Sequence, residues 1–339
     1  MTLLVEPPAP TVAVPEPAPR KIDPGLPRSD KIFRNTVRAV GVFVLVLTTA
    51  IGVFLGLQAI PTLQRYGFSF FTETQWEPRQ DTIGIAAVFV GTIEVALVAL
   101  VVGFPLALLT ALFISEYAPT RLKPTLISMV DLMAAVPSII FGLWGFKVLQ
   151  PHAINLSRWL ATYLDWIPIF KVDTDTSTPI WQQSSFTASA FIAGLAVSLM
   201  VIPMASAVMR GVFALAPLGE REAAFALGAT RWGMVRAVVL PFGRGGIIGG
   251  TMLALGRALG ETIAVLLIIS PAFEIKWQIL SVGTETFSAL IAGRFGEATA
   301  AQLSALLTAG FVLFVMTIAI NTIAAIFVNR SRSGAATEI

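Results

Sequence analysis

The sequence contains no cysteine and a single histidine, His152, among its 339 residues. Without thiols, neither disulfides nor cysteine-ligated metal sites are available, and one imidazole leaves almost nothing for a histidine-based metal centre. Charged residues are also scarce, because they make up 13% of the chain whereas a typical soluble domain has about 25%. The net charge is only +3 and the basic residues are spread over many loops, so we expect no nucleic-acid partner.

Long hydrophobic runs take the place of the missing charges. Hydrophobic residues make up 55% of the chain, and about 20 apolar residues are enough to cross a bilayer as a helix. We therefore predict an all-α, polytopic membrane protein with about six transmembrane helices, because helices satisfy their own backbone hydrogen bonds in lipid. The six runs lie at about residues 39–60, 83–115, 125–149, 187–210, 245–270 and 303–328. Pro137 interrupts the third run, and we expect neighbouring helices to repair that break.

Basic residues indicate an orientation, and composition indicates boundaries. Lys and Arg concentrate before the first run, in the loop of residues 211–244 and after the last run, so both termini and that loop should be cytoplasmic. Residues 1–30 are rich in proline, which predicts a disordered cytoplasmic tail. We expect a first transmembrane helix and outer loop in residues 31–82, a helical core in 83–330, and a cytoplasmic C-terminal tail in 331–339.

The cytoplasmic segment 217–241 has the pattern of two short helices joined by a sharp turn. Pro217 opens the first helix, and Gly228 is placed to end it in the left-handed conformation. Thr230 can cap the second helix, which Pro241 should limit. The first helix carries apolar residues that would face water, so two interpretations stay open from composition alone. It docks on a partner protein, or it rests on lipid as an amphipathic helix.

The same segment resembles the EAA loop of ABC importer permeases, the inner membrane components of binding-protein-dependent transport systems. In that family the loop forms the coupling helix that fits a groove on the ATPase subunit. The spacing of the family pattern is matched without a gap. The residues to which the resemblance assigns ATPase coupling are Glu222, Ala223, Ala224, Phe225, Gly228, Leu240 and Pro241.

The chain lacks a G-x-x-x-x-G-K-[ST] stretch, so it cannot cradle ATP phosphates in that way. We therefore expect no cofactor in this chain and no enzyme activity of its own. ATP and magnesium are expected on a separate ATPase polypeptide.

The stretch LALGRALGETIAVLLIIS, residues 253–270, is apolar except for Arg257 and Glu261. An ion at a helix centre costs about 2.5–3.5 kcal/mol on insertion scales, so such residues usually face a bundle interior. The two are four residues apart, which places them on one helix face where they can pair. The guanidinium fork suits oxyanions, and we expect an arriving oxyanion to compete with Glu261 for Arg257. The alternative is a static salt bridge that fixes helix packing.

The element GRALGET, residues 256–262, resembles the membrane subunits of high-affinity phosphate importers, of the PstC type. Three further stretches agree, at 134–146, 116–119 and 240–250. The likeness covers roughly residues 83–328. It implies that Arg257 and Glu261 matter for phosphate passage.

Two more acids fall inside the predicted spans. Glu94 lies in the second run, where a path-lining role and a structural hydrogen bond are equally favoured. Asp131 lies early in the third run, where it can pair with Arg121 or Lys123 at the membrane surface.

These features lead us to expect the permease subunit of a type I ABC importer that translocates inorganic phosphate across the bacterial cytoplasmic membrane. The resemblance implies as partners a second related permease, two ATPase subunits and an extracytoplasmic phosphate-binding protein, all assembled at the lipid bilayer. Two alternatives remain open. One is the same fold acting on sulfate or molybdate, and the other is a proton-coupled secondary transporter that uses the intramembrane acids.

Overall fold

The computed structural model describes residues 28–172 and 185–332, with side chains up to residue 326. The chain divides into two units, Met1–Ile51 and Gly52–Ile339. The Pro-rich tail expected in residues 1–30 lies almost wholly outside the described residues. The same holds for most of the C-terminal tail expected in residues 331–339.

One long helix begins the described chain. Helix α1 (Arg28–Tyr66) has 39 residues and an apolar stretch long enough to cross a membrane. Its residues 28–51 are all that the structure describes of the first unit.

In the described residues, the second unit is mainly helical and contains one small hairpin. The helices that follow are α2 (Ser69–Thr72), α3 (Ala86–Leu112), α4 (Lys123–Ala135), α5 (Ser138–Trp144), α6 (Gln150–Tyr163), α7 (Ala190–Phe213), α8 (Leu218–Ala226), α9 (Arg231–Met234), α10 (Leu240–Leu259), α11 (Ile263–Ile268), α12 (Phe287–Arg294) and α13 (Ala300–Arg332). The antiparallel hairpin pairs β1 (Trp76–Glu77) with β2 (Thr82–Ile83). Three π-helical turns extend neighbouring helices at Phe113–Tyr117, Gly145–Leu149 and Val235–Val239. Short 3-10 turns lie at Pro78–Gln80, Pro168–Phe170 and Phe295–Glu297.

The membrane-length helices confirm the prediction of about six spans. Five helices in the described chain are long and apolar enough, namely Arg28–Tyr66, Ala86–Tyr117, Ala190–Phe213, Arg231–Leu259 and Ala300–Ile326. A sixth is obtained if the bent pair Lys123–Ala135 and Ser138–Tyr163 counts as one span.

The third span is not the repaired helix that we expected. Helix α4 ends at Ala135, and the chain resumes as α5 at an angle of 88°. Val136 is extended, with ψ of 129°, because the ring of Pro137 disfavours helical backbone in the residue before it. The third span is therefore broken at Val136 and Pro137.

The fifth span also differs from its prediction. The helix begins as early as Arg231, and Pro241 does not limit it. A π-helical turn just before Leu240 lets the helix pass the proline, which lacks an N–H and clashes with the preceding turn. The helix then ends at Leu259, so the predicted run 245–270 is two helices with a break between them.

Helices α3, α7 and α10 pack together at the centre of the second unit. Small residues bring α3 and α7 close, and a Cβ on Gly194 would lie 2.5 Å from the Cβ of Val98. Small residues at helix interfaces are the usual means of packing in membranes, where backbones must approach to gain contact. Helix α7 continues through Pro203 without a break.

Candidate functional site

The coupling segment (residues 217–241) has the first helix, the turn and the cap that its sequence predicts, but Pro241 does not limit its second helix. Helix α8 follows Pro217 directly, and Gly228 lies just beyond its end with a φ of +82°. A Cβ on Gly228 would meet no atom within 4 Å, so glycine is needed there for its backbone conformation and not for space. The N–H of Gly233 donates to the Thr230 hydroxyl at 3.1 Å, which caps α9.

Helix α8 presents an apolar surface that the described chain leaves uncovered. Leu227 is 90% exposed, and Leu218 and Phe225 are exposed as well. Glu222 and Ala223 are exposed on the same short helix, whereas Ala224 is partly buried. Exposed apolar side chains beside charges are typical of a protein interaction site.

A buried ion pair anchors α8 to the body of the protein. Nη1 of Arg221 lies 2.9 Å from Oε2 of Glu116, whose side chain is only 3% exposed. Nη2 of Arg221 donates to the backbone oxygen of Phe213 at 2.6 Å. Sequence reasoning missed this pair, because its partners are 105 residues apart and no local spacing connects them.

Two of the three residues predicted for substrate passage, Arg257 and Glu261, border a cavity of about 560 Å³. It lies between α7, α10, the break after α10, and α13. The lining residues are Met204, Met252, Leu253, Gly256, Arg257, Gly260, Glu261, Thr317 and Asn321. Arg257 and Glu261 are therefore brought together at one cavity, as the sequence predicts.

The predicted tether between Arg257 and Glu261 is wrong. Arg257 lies in the last turn of α10, whereas Glu261 lies beyond its end, so they do not share a helix face. No ion pair joins them in the described structure, where the Arg257 side chain is exposed. Glu261 is 7% exposed, and its Oε1 accepts from the N–H of Ala264 at 3.5 Å at the start of α11.

Local hydrogen bonds explain the helix break. The hydroxyl of Thr262 donates to the backbone oxygen of Gly260 at 3.1 Å, and Glu261 bonds the first turn of α11. Such side-chain bonds compete with helical hydrogen bonds, and glycine is a poor helix former. The break leaves Glu261 beyond the end of α10, so the spacing of one helical turn that would bring it beside Arg257 is not formed.

Two polar residues of α13 complete the cavity, and sequence reasoning missed both. Thr317 and Asn321 are one helical turn apart and lie on the cavity side of α13. The side-chain oxygen of Asn321 would lie 3.8 Å from a Cβ built on Gly256. The available signal was an asparagine within the apolar run 303–328, since an unpaired amide is costly in lipid.

Comparison with known proteins identifies the family. Residues 103–333 match the family described as "Binding-protein-dependent transport system inner membrane component". The chain belongs to this family. It is a multi-pass inner membrane protein, and as a permease component it is a non-catalytic subunit of an ABC importer.

Individual relatives cover nearly the whole permease. "Phosphate transport system permease protein PstC 2" of Mycobacterium tuberculosis is 38% identical over 301 residues, 88% of this chain and 91% of that protein. "Probable phosphate transport system permease protein PstC" of Methanocaldococcus jannaschii is 34% identical over 314 residues, covering 91% and 96%. The solved structure of a bacterial ABC transporter involved in the import of the acidic polysaccharide alginate shares the fold. Its TM-score is 0.51 at 20% identity, over 91% of this chain and all of that chain.

Glu94 does not join the Arg257 cavity of the permease. It lies on α3 beside a separate cavity of about 420 Å³, whose other lining residues are apolar. Its Oε1 is buried without a hydrogen-bond partner in the described chain. A role in the same passage as Arg257 therefore gains no geometric support.

Asp131 pairs differently from the prediction. Its Oδ1 lies 3.3 Å from Nη2 of Arg210, near the end of α7. The expected partners were Arg121 and Lys123, but Lys123 instead donates to the backbone oxygen of Ser115. The long arginine side chain reaches Asp131 across the α4–α7 contact, which sequence spacing does not reveal.

Proposed function

We propose that this permease imports inorganic phosphate across the bacterial cytoplasmic membrane, driven by a separate ATPase. The observation that carries the proposal is the Arg257 guanidinium beside a cavity between membrane-length helices. A guanidinium offers a planar fork of N–H donors that matches phosphate oxygens. The names of the relatives, phosphate transport system permease proteins, support the same substrate.

The proposed assembly contains a second related permease, two ATPase subunits and an extracytoplasmic phosphate-binding protein. Helix α8 docks on one ATPase subunit and is therefore cytoplasmic. Both termini lie on the same side of the membrane as α8. The distribution of Lys and Arg supports that orientation. ATP binding and hydrolysis on the ATPase subunits then shift the permease pair between two states through their contacts with α8.

Within the cavity, each residue has a proposed role set by its hydrogen-bonding groups. Arg257 donates to the oxyanion, and the amide of Asn321 adds a second donor from the opposite helix. Glu261 is an acceptor when ionised, so it can bond a P–OH group but repels bare oxygens. This balance keeps binding modest, which a passage needs because the substrate must also leave.

Radiolabelled phosphate uptake tests the proposal in a strain that lacks this chain. We expect the wild-type chain to restore uptake, and Arg257→Gln to abolish it while the complex still assembles. Arg244→Gln is the matched control, because Arg244 is exposed on the same helix and does not line the cavity. Normal uptake by Arg257→Gln would remove the pathway role. Inhibition of wild-type uptake by excess sulfate or molybdate would favour those anions as cargo.

A further inference from the structure

The ion pair between Arg221 and Glu116 connects three elements at one point. Arg221 belongs to α8, and Glu116 belongs to the π-helical turn that ends α3. The same guanidinium bonds the backbone oxygen of Phe213, the last residue of α7. One side chain of the coupling helix thus holds the ends of the two helices that pack most closely in the core.

The backbone provides no short connection between α8 and α3, which are joined at this point by the non-covalent Arg221–Glu116 pair. A short loop of residues 214–217 joins α8 to α7, and residues 227–230 join it to α9 and the helix beyond. Helix α3 is far away in sequence, and its C-terminal end is bonded to α8 by the Glu116 carboxylate. A movement of α8 therefore reaches α3 directly through this pair.

Stability alone does not account for the pair. Oε1 of Glu116 and Nε of Arg221 are buried without a hydrogen-bond partner in the described chain. A buried ion pair that is only partly hydrogen-bonded gains little net free energy, because taking both charges out of water is costly. Such pairs are better suited to fixing geometry.

Helix α3 and its π-helical turn form the membrane-length helix Ala86–Tyr117, and the pair with Arg221 lies at its C-terminal end. Its other end packs against the loop before α12, where the N–H of Phe287 donates to the hydroxyl of Thr92 at 3.0 Å. Residues 92 and 116 are separated by roughly 36 Å of helix, at 1.5 Å per residue. Helix α3 and its π-helical turn thus form one continuous element between these two contacts.

We propose that Arg221 and Glu116 are a positioning pair that transmits movement of α8 to α3 and α7. The inference rests on the proposed function, since it takes α8 to be the helix that the ATPase moves. It adds the physical connection by which that movement reaches the core.

The test measures phosphate transported per ATP hydrolysed by the complete complex in proteoliposomes. We expect Arg221→Met, Glu116→Gln and the double variant each to lower this ratio about fivefold or more, the usual lower range of coupling between sites. The double variant should be no worse than either single variant, because both remove the same connection. It also leaves no buried unpaired charge, so it guards against loss of folding. Arg121→Met is the matched control, since Arg121 is exposed nearby and no ion pair is recorded for it in the described structure.

A second measurement exploits the absence of cysteine from this chain. Arg221→Cys with Glu116→Cys is assembled with cysteine-free partner subunits, and a reducible bifunctional thiol reagent joins the two positions. We expect the ratio to be low before linking, to rise after it, and to fall again on reduction. A wild-type ratio in the double variant, or no rise on linking, would overturn the proposal.

The proposed function fails by different results. It fails if the wild-type complex moves no phosphate, or if Glu222→Lys leaves ATPase binding intact. Only the positioning pair is refuted if the wild-type complex transports phosphate and Glu222→Lys loses the ATPase, but the double variant Arg221→Met with Glu116→Gln keeps the wild-type ratio of phosphate transported to ATP hydrolysed.

Discussion

Asn321 is a polar residue whose position favours a role in transport. It lies within a membrane-length helix, faces the cavity of Arg257, and has no recorded hydrogen bond in the described structure. An amide in that setting is costly unless it bonds a neighbouring chain or a substrate. A Cβ built on Gly256 would lie 3.8 Å from the Asn321 side-chain oxygen, which is ordinary van der Waals contact.

We predict that Asn321→Leu lowers phosphate uptake about tenfold, the factor that one lost hydrogen bond of about 1.4 kcal/mol provides. Asn321→Gln should retain part of the uptake, because it keeps the amide on a longer stem. Thr322→Val is the control, since its hydroxyl is satisfied by the backbone oxygen of Ile318 and does not line the cavity. Equal uptake by Asn321→Leu and the control would place the asparagine outside the substrate path.

At the scale of elements, the coupling segment was predictable because its signals are local. Gly228 and Thr230 each act within four residues of their own position, so spacing alone reveals the turn and the cap. The end of α10 was not predictable in the same way. Its apolar run resumes directly after Glu261 and Thr262, and the break depends on side-chain hydrogen bonds that hydropathy does not report.

Contacts between distant elements were the other part that sequence could not supply. Arg221 pairs with Glu116 and Asp131 pairs with Arg210 only because the fold brings α8 to α3 and α4 to α7. The fold class and the membership of Arg257 and Glu261 in one cavity were predictable. The absence of an ion pair between them was not predictable, because a helix continuous through residues 257–261 would have placed both side chains on one face, whereas α10 ends at Leu259.

The loop before α12 carries a buried acid whose ionisation should weaken its packing. Glu285 is 2% exposed, and burial raises its pKa from 4.5 to about 7, against the opposing effects of the Thr286 N–H and the Arg294 charge. The folded-state pKa exceeds the unfolded value, so the stability that this carboxyl contributes is highest below about pH 4.5. It falls as the pH rises toward 7, by about 3 kcal/mol in total at 1.36 kcal/mol per unit.

We predict that Glu285→Gln flattens this dependence. The Tm of the wild-type complex should fall more between pH 5 and pH 8 than that of the variant, and the variant should be the more stable at pH 8. Glu274→Gln is the control, because Glu274 is an exposed acid of the same loop, 3.4 Å from Lys276. Parallel pH profiles for wild type and Glu285→Gln would show that the carboxyl ionises without cost.

At the scale of the whole molecule, the features of this chain indicate which functions it can perform and which it leaves to a separate ATPase subunit. The chain has a cavity lined by Arg257 and an exposed helix α8, and its sequence lacks a Walker-type phosphate loop. Under the proposed function, the energy of ATP hydrolysis enters through α8. A proton-coupled carrier would instead place several titratable groups along the passage. Of the three intramembrane acids, Glu94 borders a different cavity and Asp131 pairs with Arg210, so only Glu261 lies beside Arg257.

ATP hydrolysis and a proton gradient, the two possible sources of energy, predict opposite results in membrane vesicles that contain the whole complex and the binding protein. We expect phosphate uptake to continue after a protonophore dissipates the proton gradient, provided that ATP is present. We expect Glu222→Lys to abolish uptake and to release the ATPase during purification, because it reverses a charge on the exposed docking face. Glu220→Lys reverses an exposed charge in the same helix outside the EAA positions, and it should reduce uptake far less. Uptake that stops with the protonophore and survives Glu222→Lys would identify a proton-driven carrier, in which α8 has no energetic role.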